Sequence, residues 1–246
     1  MKSREEMATI NISEIRSGNH FFFRVAGDET ADLVDESMRV FTANNGTAGS
    51  PCDIRVGKYV AALFDDGKGK SWYRARIHAK LAGKVRVLFI DHGNVAIVPV
   101  STHLRPLEGS LSVDNVPAVV KEAVLAFTNT RGIEDDDGLE AAKLLQYVTS
   151  GSGMTTRIFC KDAEGKLVVA LYESGEVSKT INEQIVAEGL ARAPKSSDVT
   201  TLVDKMLDGT NLKQLSEDLL IAEQSSKKLR RGMWRYGDIG DDDVED

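Results

Sequence analysis

The chain has few of the residues that cross-link small secreted domains, and no apolar run long enough to span a membrane. Its 246 residues include two cysteines and five prolines. Cys52 and Cys160 lie far apart and match no paired metal spacing, so we expect buried free thiols in a reducing compartment. The longest apolar stretch, 116–127, is interrupted by Lys121 and Glu122. We therefore expect no membrane partner, and a cytoplasmic protein with the nucleus as a second location.

An excess of positive charge is also missing. The formal net charge is −7, and a protein that coats nucleic acid needs a basic face instead. Part of the negative charge lies in the C-terminal tail, 237–246, which has too little apolar content to fold and is predicted to be disordered. An acidic chain favours basic partners.

The patterns that mark catalytic and metal sites are missing as well. Four histidines show no ligand spacing, and no serine or threonine sits in a strained-turn motif. Residues 67–71 resemble the end of a phosphate-binding loop, but Phe64 stands where that loop needs glycine, so a hairpin turn is predicted. We expect no catalytic residue, no metal and no cofactor.

Three regions of different periodicity are present. A hairpin is predicted over 7–25, followed by a helix from Asp28 to Phe41 whose apolar positions are Leu33, Val34, Met38 and Phe41. Short strands with tight turns between 58 and 99 predict a small barrel. Beyond 110, the patterns predict strands at 119–127, 155–160 and 167–172 and helices at 137–149, 181–190 and 210–231.

The N-terminal hairpin cannot bury a core alone, because two strands and one helix leave much apolar surface in water. Phe21, Phe22 and Phe23 are therefore expected to pair with strands after residue 110. This places the small barrel as an insertion within a second, β-rich domain.

Aromatic side chains in the small barrel suggest a cation site. Phe64, Tyr73, Phe89 and His92 can converge at one mouth of the barrel beside the turn at Gly93. Ring faces attract a cation within about 6 Å of the centroid. Asn94 could add a hydrogen bond to the guest. From the residues alone, Phe64 and Phe89 could equally be core.

The segments Trp72–Arg76 and Phe89–Asn94 resemble the Tudor domain signature. Leu229–Asp238, together with the long helix before it, is similar to the C-terminal extended Tudor segment of the Tudor staphylococcal nuclease family. The resemblance implies an α+β fold in which a Tudor barrel is inserted into a split, nuclease-like OB fold and joined by a long helix. The implied regions are 7–45 and 110–236 for the nuclease-like domain, 50–108 for the barrel and 237–246 for the tail.

The resemblance also implies a function. Family members read symmetric dimethylarginine in the arginine-glycine tails of Piwi, Argonaute and Sm proteins, within RNA silencing and RNA processing. By position, the cage is Phe64, Tyr73, Phe89 and His92, with Asn94 as the polar contact. Either Arg74 or Arg76 forms a structural ion pair with Asp91.

Two residues depart from the family pattern, because Phe89 and His92 stand where tyrosines are usual. A protonated His92 would repel a cation, so weaker binding at low pH is expected. Three alternatives stay open. The cage could be degenerate, leaving an interaction scaffold. RNA could bind the basic cluster Lys227, Lys228, Arg230 and Arg231. The segment could be a nuclease, although we expect no activity here because the calcium-dependent nuclease activity of the family lies in other repeats.

Overall fold

The computed structural model describes residues 2–107, 109–151, 153–175 and 177–237. The predicted tail lies outside these residues from position 238 onward. The strands within them are β1 (Glu6–Ser17), β2 (His20–Val25), β3 (Tyr59–Asp65), β4 (Lys70–Leu81), β5 (Lys84–Phe89), β6 (Val95–Pro99), β7 (Leu104–Pro106), β8 (Lys121–Leu125), β9 (Asn129–Thr130), β10 (Met154–Lys161), β11 (Leu167–Glu173) and β12 (Ala191–Arg192).

The α-helices within the same residues are α1 (Glu29–Asn45), α2 (Val100–His103), α3 (Asp136–Val148), α4 (Ile181–Ala187), α5 (Ser196–Val203) and α6 (Thr210–Leu229). Short 3₁₀ helices cover Gly109–Leu111 and Gly232–Tyr236. None of the described helices combines the length and apolar character that a membrane crossing requires.

The chain forms two compact units. One combines the residues up to Ala26 with those from Glu122 onward, and the other is Gly27–Lys121. The second unit is therefore inserted in the sequence of the first, which confirms the predicted fold class. Helix α1, which the sequence analysis groups with the first unit, lies in the inserted one.

The first unit contains a closed five-stranded barrel with the strand order β1-β10-β11-β8-β2. β1 pairs antiparallel with β10, so the N-terminal hairpin joins strands that lie after residue 110, as predicted. Phe21 and Phe23 are fully buried, whereas an isolated hairpin would leave them exposed to water. Closing the sheet removes both of its edges and supplies the missing core.

Helices complete the core of the first unit. The predicted apolar stripe of α6 is confirmed, since Leu212, Leu215, Leu219 and Ala222 are all buried. Of the two free thiols, Cys160 is buried as expected, while Cys52, in the inserted unit, is only half-buried.

The inserted unit contains a five-stranded sheet with the order β6-β5-β4-β3-β7. Side chains alternate across its strands, so β4 contributes to two different cores. Ala75 and Ile77 pack with Val87 and Phe89 in one buried cluster, which we call the inner cluster. Trp72 packs against α1 in a second buried cluster, which we call the outer cluster.

Helix α1 covers this outer face. Asp28 caps it by accepting a hydrogen bond from the Thr30 backbone N–H at 2.9 Å. Val34 and Met38 are buried, but Leu33 is 68% exposed, so its predicted place in the apolar stripe is wrong. Adjacent helical positions differ by about 100° around the axis, and the buried stripe passes through Ala31 instead.

Candidate functional site

Four predicted cage residues lie together in the inserted unit. β3 supplies Phe64, β4 supplies Tyr73, β5 ends at Phe89, and His92 lies in the turn that follows. The ring centroids of Phe64 and Phe89 are 5.1 Å apart, and those of Tyr73 and Phe89 are 5.8 Å apart. Tyr73 and His92 meet at 5.1 Å with an interplanar angle of 87°. The four rings form one continuous cluster, which we call the ring cluster.

The ring cluster is packed, with its members at edge-to-face or tilted angles. A flat cation held between two parallel rings needs about 7 Å between them, which is twice a contact distance of about 3.5 Å. Among the ring pairs in contact, the largest centroid separation is 6.4 Å, between Phe64 and Tyr73, so none of these pairs leaves that space. Half-buried Phe64 has more freedom to move than Phe89, which is 1% exposed.

Phe89 lies both in the barrel core and in the ring cluster, the two positions that the sequence left open for it. It belongs to the inner core cluster, and it also contacts two of the other rings. Phe64 and Tyr73 pack against that core from its margin. The ring cluster is an extension of the barrel core toward one mouth.

A carboxylate borders the ring cluster. The Tyr73 hydroxyl donates a hydrogen bond to Asp66 Oδ2 at 3.1 Å. Burial, followed by this hydrogen bond, raises the pKa of Tyr73 above its usual value. The Lys68 backbone N–H and the Tyr73 hydroxyl lower the pKa of Asp66, so the carboxylate stays charged at neutral pH. Asp66 thus places a negative charge at the edge of the ring cluster.

Asn94 lies in the same turn as His92 and is half-buried. Its backbone oxygen accepts a hydrogen bond from the Phe89 N–H at 2.9 Å, which holds the turn against the end of β5. Gly93 has a φ of +93°, a conformation that L side chains rarely adopt, so glycine is needed between the two predicted site residues.

The predicted ion pair is made by Arg74, while Arg76 is exposed. Arg74 Nε lies 2.8 Å from Asp91 Oδ2, and Arg74 Nη2 lies 2.6 Å from Asp91 Oδ1. The guanidinium also donates to the backbone oxygens of Val116, at 2.6 Å, and Pro117, at 3.0 Å. Its charge is thus both paired and hydrogen-bonded, as a buried charge requires.

A groove of about 470 Å³ runs between α1 and β4 beside the ring cluster. Met38 and Thr42 line it from the helix, and Tyr73 and His92 line it from the sheet. Sequence patterns did not predict this groove, because it depends on how α1 packs. Tyr73 and His92 therefore belong to the ring cluster and also line the adjoining groove.

The predicted basic cluster lies at the end of α6 in the other unit. Lys227 Nζ is 3.4 Å from Glu223 Oε2 and lies 4.4 Å from the centroid of the Trp234 ring. Arg231 pairs with Glu188 at 3.1 Å. Lys228 and Arg230 are exposed. Two of the four cations, Lys227 and Arg231, thus have acidic partners.

Two chemical features of the remaining residues bear on function. In the described ranges, no group of three or more His, Cys, Asp and Glu side chains could hold a metal ion. His20 Nε2 lies 2.7 Å from Glu122 Oε1, a pair that the sequence did not suggest because the residues are distant along the chain.

The predicted hairpin turn at 67–71 is confirmed: it leads from β3 into β4.

Comparison with known proteins places this geometry in a family. The Tudor domain profile matches residues 3–126, and the staphylococcal nuclease homologue profile matches residues 128–236. Ribonuclease TUDOR 1 of Arabidopsis thaliana is 27% identical over 263 residues, covering 98% of this chain and 25% of that protein. The chain spans about a quarter of the length of the curated relatives it matches.

Solved structures show the same fold. The extended Tudor domain of Drosophila melanogaster Tudor-SN superposes with a TM-score of 0.75 at 21% identity, covering 94% of this chain and 99% of that one. Extended Tudor domain TD3 of mouse TDRD1, solved with a MILI peptide containing dimethylarginine, gives a TM-score of 0.65 at 22% identity, covering 79% of this chain and 97% of that one.

Proposed function

Since this chain belongs to the Tudor domain family, we propose that it binds symmetric dimethylarginine in the arginine-glycine tails of partner proteins of the Piwi, Argonaute or Sm type. The observation that carries the proposal is the ring cluster, with the Asp66 carboxylate at its border. Extended Tudor domains of the same fold have been solved with dimethylated peptides or with sDMA itself.

The chemistry of the guest fits the proposed site. Methylation removes N–H donors from the planar guanidinium and adds apolar surface, but it keeps the positive charge. Ring faces favour such a cation by about 0.5–2 kcal/mol, depending on how far it is desolvated. Tyr73 and His92 would offer ring surface, and Asn94 would accept or donate one hydrogen bond. The groove between α1 and β4 would take the peptide residues next to the methylarginine.

Calorimetric titration of the full chain tests this proposal. Three arginine-glycine peptides of identical sequence are compared: unmethylated, symmetrically dimethylated and asymmetrically dimethylated. We expect the symmetric peptide to bind most tightly and Tyr73→Ala to weaken it by about tenfold or more. Tyr59→Ala is the matched control, because Tyr59 is on the same sheet, is 40% exposed and lies outside the ring cluster.

Two results would count against the proposal. Equal affinity for all three peptides would mean that methylation is not read. Equal loss in Tyr73→Ala and Tyr59→Ala would place binding elsewhere. A chain that binds none of the three peptides would favour the degenerate-cage alternative.

We further propose that this segment is an interaction module and does not itself cleave nucleic acid. Its support is the lack of a metal-binding group of acidic side chains among the described residues. Incubation of the chain with single-stranded and double-stranded RNA plus calcium should leave both intact. Cleavage above a buffer blank, removed by a chelator, would contradict this.

A further inference from the structure

The first unit carries a groove of about 660 Å³ beside strand β10 of its barrel. One wall is built by the N-terminal residues, which pair in parallel with a segment after α5. The Ser3 N–H donates to the Lys205 oxygen at 2.8 Å, and the Leu207 N–H donates to the Ser3 oxygen at 2.9 Å. The two short segments therefore form a wall of defined register.

Strand alternation decides which side chains face this groove. Met206 is 1% exposed and belongs to the core, so its neighbours Lys205 and Leu207 point outward. Lys2 and Arg4 flank Ser3 in the same way and are both exposed. All four outward residues line the groove.

The end of β10 adds a fourth cation to this lining. Lys161 is exposed and stands opposite Leu167 in the β10–β11 pairing. Lys2, Arg4, Lys161 and Lys205 form the set that we call the basic rim. No acidic residue lines the groove among the described residues, and none of the four cations forms an ion pair there.

The acidic residues that follow the lining segments, Asp162 and Asp208, form hydrogen bonds within their own loops and, in the described part of the chain, no ion pair with the basic rim. Asp162 accepts hydrogen bonds from the backbone N–H groups of Glu164 and Lys166, both at 2.9 Å. Asp208 accepts from the backbone N–H and the hydroxyl of Thr210. In a chain of net charge −7, four unpaired cations around one groove are a local reversal of sign. Such a reversal attracts anionic ligands.

The floor of the groove indicates which anion fits. It is formed by aliphatic side chains, Ile158, Leu167 and Leu207, and Leu207 is 59% exposed. The one ring in the lining, Phe159, is 1% exposed and offers no face. Single-stranded nucleic acid is usually held by stacking its bases on exposed rings. An aliphatic floor instead suits leucine, isoleucine or valine side chains.

We propose that this groove binds an extended acidic peptide of a partner protein, in which carboxylates alternate with aliphatic side chains. The carboxylates contact the basic rim, and the aliphatic side chains pack on Leu167 and Leu207. Lys205 and Leu207 leave their segment on the same side, two residues apart, so the groove presents cationic and aliphatic groups side by side. This site lies in the first unit and does not depend on methylarginine binding.

Calorimetric titration of the full chain with a synthetic peptide of about nine alternating glutamate and leucine residues tests the proposal; fully extended, such a peptide is about 30 Å long. We expect Lys161→Glu/Lys205→Glu to weaken binding by about tenfold or more. The matched control is Lys228→Glu/Arg230→Glu, which makes the same charge change on exposed residues of the same unit. The control variant should change peptide affinity by less than about twofold, because salt screens charges that lie far from the peptide.

Two further arms test the floor and the ligand class. A glutamate-serine peptide, and Leu207→Ser with the original peptide, should each bind about fivefold or more weakly if apolar contact contributes. Equal affinity for both peptides would overturn the proposal, as would equal loss in the rim and control variants. Single-stranded RNA that binds more tightly than the peptide, and loses affinity in the rim variant, would reassign the groove to nucleic acid. Absence of peptide binding would also refute it.

Discussion

Arg74 and Asp91 join the two chain segments that carry the ring cluster. Arg74 follows Tyr73 on β4, and Asp91 precedes His92 in the turn after β5. Their two hydrogen bonds, of 2.8 and 2.6 Å, fix the turn against the strand. The two residues of the Tyr73–His92 ring contact, at 5.1 Å, are therefore each next in sequence to a member of a buried ion pair.

Removing one member of this pair should destabilise the inserted unit. Arg74→Ala leaves the Asp91 carboxylate buried without its partner, and we expect a loss of about 3–5 kcal/mol in the free energy of unfolding. Arg76→Ala, on an exposed side chain of the same strand, should change it by less than about 0.5 kcal/mol. Denaturant unfolding followed by Trp72 fluorescence in a Trp234→Phe background measures both. Equal stability of the two variants would show that the pair contributes little.

Binding of methylarginine should weaken as the pH falls. A protonated imidazole at His92 repels a cationic guest, so affinity is higher when the ring is neutral. We expect binding at pH 6 to be about two- to fivefold weaker than at pH 8. His92→Tyr should bind more tightly and lose this difference. Titration of the symmetric peptide at both pH values is the measurement, and a pH dependence that survives in His92→Tyr would assign it to another group.

Alanine substitution of Phe64 and of Phe89 should affect peptide affinity and stability to different degrees. Phe89→Ala removes a ring that is 1% exposed and should cost about 3–5 kcal/mol of stability. Phe64→Ala removes a half-buried ring and should cost about 1–2 kcal/mol, while peptide affinity falls by about tenfold. Unfolding and peptide titration of each variant test this. If Phe64→Ala leaves peptide affinity unchanged, Phe64 is core and not cage.

Gly232, which lies against Gly189 in the first unit, should tolerate no side chain. Gly232 has a φ of +50°, and a Cβ there would lie 2.3 Å from the Gly189 oxygen. We expect Gly232→Ala to cost roughly 2–5 kcal/mol. Gly165→Ala is the control, since its φ is +89° but no atom lies within 4 Å of the added Cβ. It should cost about 1–2 kcal/mol. Scanning calorimetry compares them, and equal costs would rule out the contact as the cause.

Elements with a strong local pattern were predictable from the sequence. The N-terminal hairpin, the Asp28 cap and the stripe of α6 depend on residues close together in the chain, so periodicity and turn chemistry are sufficient. Several other elements were missed. β7 spans only Leu104–Pro106 and is defined by its pairing with β3. β9 and β12 are a two-residue pair that comes from distant segments. α5 begins Ser196-Ser197-Asp198, residues with weak helix preference.

The residues of the candidate site were predictable from the sequence, but the packing of their side chains was not. Strand alternation brings Tyr73 and Phe89 to one mouth, and the turn adds His92. It could not separate Arg74 from Arg76, because both are on the outer face of β4. Only Arg74 meets the backbone of 116–117, some forty residues along the chain, and that contact depends on tertiary packing. The close packing of the rings likewise depends on rotamers that spacing does not specify.

The cover that α1 provides has a consequence for where the chain can be cut. Trp72 Nε1 donates to the Gly46 oxygen at 2.6 Å, and its ring meets Phe41 edge-on at 6.3 Å. A fragment starting at residue 50 would keep every strand of the small sheet yet expose Leu63 and Trp72 to water. Such a fragment should self-associate through this exposed surface, so the smallest stable fragment that carries the ring cluster would have to begin before the Asp28 cap.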